Sequence, residues 1–396
     1  MKYSKRIESL ATSMTLALST KAKDLIKEGI PVLDLTAGEP DFDTPEYIRL
    51  AGIDAINKGL TRYTPANGTI ELRTEICKKL LTFNNLDYSP NNVIVSTGAK
   101  QSLLNALMAI CNPGDEVLIP SPYWVSYPEM TKIASGVPVT VETSYNNDFK
   151  VTVSDLDKYL TSKSKVLIIT NPSNPTGAVY SKDELMEIAN WALKNNIFII
   201  SDEIYERLNF VSQHYSIASF NEEIKNITIT IGGFSKSYAM TGWRLGYCTA
   251  NDDLIKLMNK IQSHATSCAN SIAQYAGYIA LKDEKNEIED MIVQFKNRSN
   301  LVYDLISNSG TLDMIRPQGA FYGFINIKYF IGKKYNGLEI NNASDLANIL
   351  LDDFQVAILP GIAFGNDNYI RISYATDKNT IKTALERLID LSKKVN

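Results

Sequence analysis

Along the chain, short runs of continuous apolar, largely β-branched residues alternate with stretches of helical period. The clearest runs lie at 93–96, 117–119, 166–170, 197–201, 227–231 and 245–249. Continuous runs of this kind suit strands buried on both faces, as in a parallel sheet covered by helices. Between two of them, Ser181-Lys-Asp-Glu184 forms a capping box, and Leu185, Ile188, Ala189 and Ala192 follow at helical spacing. The alternation predicts an α/β body with helices on both faces of its sheet.

After about residue 285 the pattern changes. A long helical stretch at 286–307 is followed by a strand-like run at 320–327 and a helix at 344–354. Strands at 356–358 and 369–374 and a final helix at 381–391 complete the chain. This part reads as a smaller α+β domain, and the strand-like 32–35 is assigned to it. The expected division is an N-terminal arm at 1–14, a small domain built from 15–45 and 298–396, and a large domain at 46–297.

Composition narrows the function classes. Of 396 residues, 40 are basic and 44 acidic, a net charge of −4 without a basic stripe, which argues against nucleic-acid binding. No apolar stretch approaches the length of a membrane span. The two histidines, His214 and His264, are far apart, and Cys77, Cys111, Cys248 and Cys268 form no CxxC pair, so no metal site is expected and the thiols read as free. The basic start is interrupted by Glu8, and the apolar piece at 14–18 is too short for a signal peptide, so a cytoplasmic location is expected.

GxGxxG, GxxxxGK[ST] and GxSxG are absent. Four polar loops instead follow predicted strands, at the sheet edge where open α/β folds bind ligands. Ser96-Thr-Gly-Ala-Lys-Gln101 opens a helix; small residues let the backbone approach, and free N–H groups at a helix start hold an anion. Thr170-Asn-Pro-Ser-Asn-Pro-Thr-Gly177 is a rigid turn that could present the Asn174 amide. In Ser201-Asp-Glu-Ile-Tyr205, a carboxylate ending an apolar strand needs a cation or a protonated ring nitrogen, and Tyr205 could face the same ligand. The loop from Gly232 to Gly246 carries Lys236 among Gly and Ser, with Arg244 eight residues on; this suits a Schiff-base lysine and a phosphate-binding arginine. Taken singly, each loop has a plainer reading: a capped helix, a structural turn, a helix cap, a solvated lysine. Together they supply an anion nest with an arginine, a carboxylate for a ring nitrogen, Asn and Tyr for a ring oxygen, and an amine for an aldehyde. Those are the needs of pyridoxal 5′-phosphate.

With these motifs the chain resembles the class I aminotransferases of the fold-type I pyridoxal-phosphate enzymes, most of all their bacterial aspartate aminotransferase branch. The resemblance runs from Leu35-Thr-Ala-Gly-Glu-Pro-Asp-Phe-Asp-Thr-Pro45 to Arg371-Ile-Ser-Tyr-Ala375. Between them, Ser121-Pro-Tyr-Trp-Val-Ser-Tyr-Pro128 and Ala239-Met-Thr-Gly-Trp-Arg244 carry it. It implies a large domain with a mainly parallel, helix-covered seven-stranded sheet and a smaller α+β domain. It implies transfer of an amino group between an amino acid and a 2-oxo acid, with aspartate and 2-oxoglutarate as the expected pair. Aromatic or prephenate amino transfer, or a lyase on the same fold, are the alternatives.

Residue by residue, the resemblance makes Lys236 the lysine that bonds the cofactor's aldehyde and shuttles the proton. Asp202 pairs with the ring nitrogen, Asn174 and Tyr205 bind the ring oxygen, and Trp124 stacks on the ring. Gly98, Ala99 and Lys100 hold the phosphate with backbone N–H groups, Arg244 clamps it, and Tyr63 reaches the phosphate of a neighbouring subunit in a homodimer with shared sites. Arg371 and the backbone near Gly38 bind the substrate α-carboxylate. No arginine occurs between Lys260 and Arg298, where one branch of aspartate aminotransferases carries the distal-carboxylate ligand. Lys100 is therefore expected to bind the distal carboxylate, with hydrogen bonds from Ser13 or Thr15. Gly233 stands where many relatives have a phosphate-binding serine, so one hydroxyl is missing, with Ser235 a candidate to offset it. Trp191, Trp243 and His264 are expected to serve in packing.

Overall fold

The computed structural model describes residues 3–11, 14–211 and 213–396. Seven strands form its main sheet: β1 (Val93–Ser96), β2 (Glu116–Ser121), β3 (Val137–Glu142), β4 (Ser164–Thr170), β5 (Phe198–Asp202), β6 (Thr228–Gly233) and β7 (Gly246–Thr249). Their spatial order is β1-β7-β6-β5-β4-β2-β3. Every neighbouring pair is parallel except those of β7, which runs antiparallel to β1 and β6. The unbroken apolar runs are explained by burial on both sides. Val166, Ile168 and Ile200 face the helices Ala99–Ile110 and Asp252–Ala265. Leu167, Ile169 and Ile199 face the helix Lys182–Lys194, which starts with the expected Ser181/Glu184 capping box.

The structure moves several expected boundaries. β5 and β6 begin one residue later than expected and end later, so Asp202, Gly232 and Gly233 belong to strands and not to loops. β3 went unpredicted. It is an edge strand with only Val141 buried, and Pro138 interrupts its apolar pattern.

A second, four-stranded antiparallel sheet pairs Leu359–Pro360, Tyr369–Ser373, Tyr322–Asn326 and Asp313–Met314 in that order. The helices Glu287–Ser307, Ala343–Phe354 and Lys378–Lys394 share one apolar core with it. Leu33–Asp34 pairs in parallel with Val356–Ala357, which joins the N-terminal segment to this C-terminal part. Among the described residues, no helix is long and apolar enough to cross a membrane.

Candidate active site

The parallel strands β1, β2, β4, β5 and β6 end at one edge of the main sheet, and β7 starts there. Where this edge meets the second sheet lies a cavity of about 300 Å³. Ten of the expected site residues line it: Ala99, Lys100, Trp124, Asn174, Asp202, Tyr205, Lys236 and Arg244, with Gly38 and Arg371 from the two ends of the chain.

Asp202 ends β5 and is buried. Its Oδ2 accepts from the Tyr127 hydroxyl at 2.6 Å, and its Oδ1 accepts from Ile204 N at 3.2 Å. Burial pushes its carboxyl up to about 6, against the pull of those two hydrogen bonds. Tyr127 also shares a 2.7 Å bond with the Thr170 hydroxyl. Lys236 Nζ donates to the Gly38 carbonyl. Burial lowers its amine to about 8; Glu39 opposes this, and Arg371 and Arg244 add to it.

The anion nest forms because two glycines allow it. Gly98 has φ +80°, and a Cβ there would lie 2.6 Å from Arg244 Nη2. A Cβ on Gly246, where β7 starts, would lie 2.2 Å from Ala99 N. Only hydrogen at these positions lets the helix start and the guanidinium close together. Ala99 and Lys100 are the first residues of their helix, so their N–H groups have no carbonyl one turn back. At Gly233 a Cβ would meet Ile204 Cδ1 at 2.9 Å, so Ile204 occupies the place a serine side chain would take, while Ser235 lines the cavity.

From the second sheet comes Arg371, buried between the rings of Tyr322 and Phe364 at 4.3 and 4.8 Å. It donates to the Thr36 carbonyl at 2.9 Å and to Asn174 Oδ1 at 3.2 Å, and its Nε has no partner. Its neighbours are neutral acceptors, so a buried cation is left without an anion. The Tyr205 and Tyr322 hydroxyls share a 2.9 Å hydrogen bond beside it. Lys100 Nζ lies 4.8 Å over the Trp124 ring, and burial, then Arg244, lowers its amine.

Some expected residues lie elsewhere. Tyr63 is 90 % exposed and does not line the cavity. Ser13 lies outside the described residues, as does the Thr15 side chain. His264 is exposed, so packing does not account for it. Trp191 is buried and donates to Asp157 at 2.7 Å, and Trp243 packs on Gly52, as expected of packing residues. Tyr127, Thr170, Thr36 and Tyr322 were not anticipated as site residues. For Tyr127 one signal existed: it lies in the same 121–128 stretch as Trp124, three residues on.

A family model described as "Aminotransferase class I and II" matches residues 30–388. The chain belongs to the class I and II aminotransferases. An aspartate aminotransferase of Bacillus sp. (strain YM-2) is 44 % identical over 384 residues, covering 97 % of each chain. A Petunia hybrida protein, named a bifunctional aspartate aminotransferase and glutamate/aspartate-prephenate aminotransferase, is 45 % identical over 97 % of this chain and 81 % of its own. The solved structure of the Rhizobium meliloti aspartate aminotransferase superposes with a TM-score of 0.96 at 38 % identity, covering 100 % of both chains.

As a member of this family the chain is a pyridoxal-phosphate-dependent aminotransferase. Its cavity fits that cofactor on three counts. Asp202 is a buried carboxylate with hydrogen-bond donors but no cation in contact. A lysine amine with a lowered pKa stands in the same cavity. The nest at Gly98 and Gly246 is of the kind that receives a phosphate.

Proposed function

We propose that this aminotransferase exchanges the amino group of aspartate with 2-oxoglutarate, giving oxaloacetate and glutamate. The observation that carries the reading is the pair of cations without acids at the cavity wall, Arg371 and Lys100. A dicarboxylic substrate would satisfy both. Arg371 would grip the α-carboxylate with its planar fork and so fix Cα, and Lys100 would take the distal carboxylate.

Pyridoxal phosphate, when bound, supplies an aldehyde for the substrate amine and a ring that draws electrons from Cα. The chain does the rest. Ala99 and Lys100 N–H groups and Arg244 hold the phosphate, and Trp124 forms a wall beside the ring. Asp202, oriented by Tyr127, offers its carboxylate to a protonated ring nitrogen. Asn174 and Tyr205 bind the ring oxygen. Lys236 would hold the cofactor's aldehyde, and its amine, lowered by burial to about 8, is neutral often enough at physiological pH to serve as the base for the Cα proton.

The active unit in this reading is a homodimer in which Tyr63 serves the partner's phosphate. Leu50, Ile53 and Ile56 lie three residues apart on the helix Glu46–Asn57, each more than half exposed, and form an apolar face. A second copy would cover it. Mixing Tyr63→Phe subunits with Lys236→Ala subunits tests the sharing: one site per mixed dimer is then intact, so activity should rise above both parents. A monomer fully active at high dilution would overturn it.

A second reading, aromatic or prephenate amino transfer, draws on the name of the Petunia relative and on the apolar lining from Leu103, Val125 and Phe364. A screen of amino donors against 2-oxoglutarate separates the two. Aspartate should give the highest kcat/KM. Turnover of phenylalanine or an arogenate-like donor with inert aspartate would sink the first reading.

A further inference from the structure

Behind the cavity lies a second buried polar cluster that the reaction does not touch. The turn from Asp202 to Glu206 divides its side chains between two sides. Asp202, Ile204 and Tyr205 line the cavity, whereas Glu203 and Glu206, 1 % and 5 % exposed, bond to groups on the far side. Glu203 accepts from the Ser201 hydroxyl at 2.8 Å, His214 Nε2 at 2.9 Å, Asn84 Nδ2 at 3.2 Å and the Ser216 hydroxyl. Glu206 pairs with Lys79 and accepts from Asn84 Nδ2 at 2.8 Å. Lys79 also donates to Asn84 Oδ1 at 2.8 Å and to the Tyr247 hydroxyl at 3.3 Å.

Glu203, Glu206 and His214 have donor atoms close enough together to suggest a metal site. The Lys79 ammonium already stands against Glu206, however, so the cluster holds a cation of its own. What it does have is a hub. Asn84, the last residue of the helix Ile70–Asn84, reaches both carboxylates, Lys79 and, at 3.0 Å, Ser216.

Buried charged groups tolerate little displacement, because a lost partner leaves an unpaired charge in low dielectric. The backbone of the turn is held by short-range bonds and by its strand neighbours: Glu206 N to Glu203 O, Glu203 N to Ile231 O and Asn171 N to Asp202 O. The two glutamates add anchors at its second and fifth residues. Each anchor sits one residue from a cavity-facing side chain.

We infer that this cluster is a clamp, with Asn84 at its hub, that positions Asp202 and Tyr205 toward the cofactor ring. The inference rests on the proposed roles of those two residues. Asn84, Lys79, Glu203, Glu206 and Ser216 are positioning residues in it; none of them lines the cavity.

The test uses the holoenzyme and reads the pH at which the bound cofactor's visible absorbance changes, beside kcat, KM and thermal stability. A donor to the anionic ring oxygen favours the deprotonated chromophore, so loosening Tyr205 raises the midpoint. Asn84→Ala should raise it by about one pH unit, equal to about 1.4 kcal/mol, and lower kcat while KM for aspartate stays within about twofold, since the hydrogen bonds of Arg371 go to Thr36 and Asn174, outside the turn. Ser216→Ala, a smaller change, should shift it less and in the same direction, and it carries the test if Asn84→Ala does not fold. Asn84→Ala combined with Tyr205→Phe should shift the midpoint little beyond Tyr205→Phe alone. A lowered melting temperature with an unmoved midpoint in either variant, or shifts that add in full, would overturn the clamp. If Tyr205→Phe alone leaves the midpoint in place, the role given to the turn falls, and the clamp with it.

Discussion

Asp202 and Glu206 are buried carboxylates on the two sides of one turn. Burial would raise both. At Glu206 the Lys79 ammonium and then His214 outweigh it, and the carboxyl is held below its ordinary value. Asp202 has no such partner in contact and rises to about 6. The same contrast separates two lysines: Lys79 has its acid, whereas Lys100 faces an aromatic ring. The cluster behind the turn is complete within the chain. In the cavity in front of it, Asp202 and Arg371 are buried with no opposite charge in contact: Asp202 bonds the Tyr127 hydroxyl and Ile204 N, and Arg371 the Thr36 carbonyl and Asn174. That difference marks the site, because a fold has no stability reason to bury a charge without a counter-charge.

The largest expected effect comes from the cavity side. Lys236→Ala should lower turnover by several orders of magnitude, as removal of a covalent and proton-transferring group does. Its cofactor-free form should be no less stable than the parent, since the lost amine was disfavoured by burial. Borohydride reduction should fix the chromophore to the parent protein and not to the variant. A parent without a reducible chromophore would remove the basis for the contrast.

The paired side should respond in the opposite way. Glu206→Gln leaves Lys79 buried without its counter-charge, which should cost about 3–5 kcal/mol of stability. Denaturant melts of the cofactor-free protein measure this directly. A loss below about 1 kcal/mol would mean that the Lys79–Glu206 pair is no more consequential than a surface pair.

Asp202→Asn should do the reverse in the same melts. Between 3.8 and about 6, the folded cofactor-free chain keeps a proton on Asp202 that the unfolded chain has released. Its stability therefore falls as pH rises through that window, and at pH 7 the difference is on the order of 3 kcal/mol. Asp202→Asn should recover most of it at pH 7 and little at pH 4. With cofactor bound the sign should invert, because the amide cannot balance a protonated ring nitrogen. A variant less stable than its parent at pH 7 without cofactor would break the comparison.

How much of this was legible beforehand follows from the same division. Lys236, Asp202, Asn174 and the Gly98 loop could be read because each is local: a polar group right after an apolar strand. The interior strands were legible because burial on both faces leaves an unbroken apolar run, and β3 was not, because an edge strand lacks that signature. Tyr127, Tyr322 and Thr36 escaped because their roles depend on distant segments meeting, as in the Arg371–Thr36 bond. The acid cluster escaped for the same reason. Asn84, Glu203 and His214 carry no motif in common, although Glu203 and Glu206, offset from Asp202 and Tyr205 by one residue, were a clue to a two-sided turn.

The smallest effect expected concerns Lys100, and it asks what kind of charge the cavity is waiting for. If Lys100 awaits a substrate carboxylate, Lys100→Ala should leave the cofactor in place, because the backbone N–H that faces the phosphate nest remains. It should cost about 2 kcal/mol in kcat/KM for aspartate, roughly 30-fold, the size of one charge-assisted hydrogen bond. Alanine and phenylalanine, which lack a distal carboxylate, should lose far less. The lowered pKa of Lys100, caused by burial and then by Arg244, adds a sign. A carboxylate bound beside the ammonium favours its charged form, so a dicarboxylic inhibitor such as maleate should bind more weakly as Lys100 deprotonates at high pH, and Lys100→Ala should remove that part of the pH dependence. Equal losses for all three amino acids would place Lys100 with the cofactor's phosphate. Lys100 would then stand with Arg244, and the cavity would keep a single cation, Arg371, for its substrate.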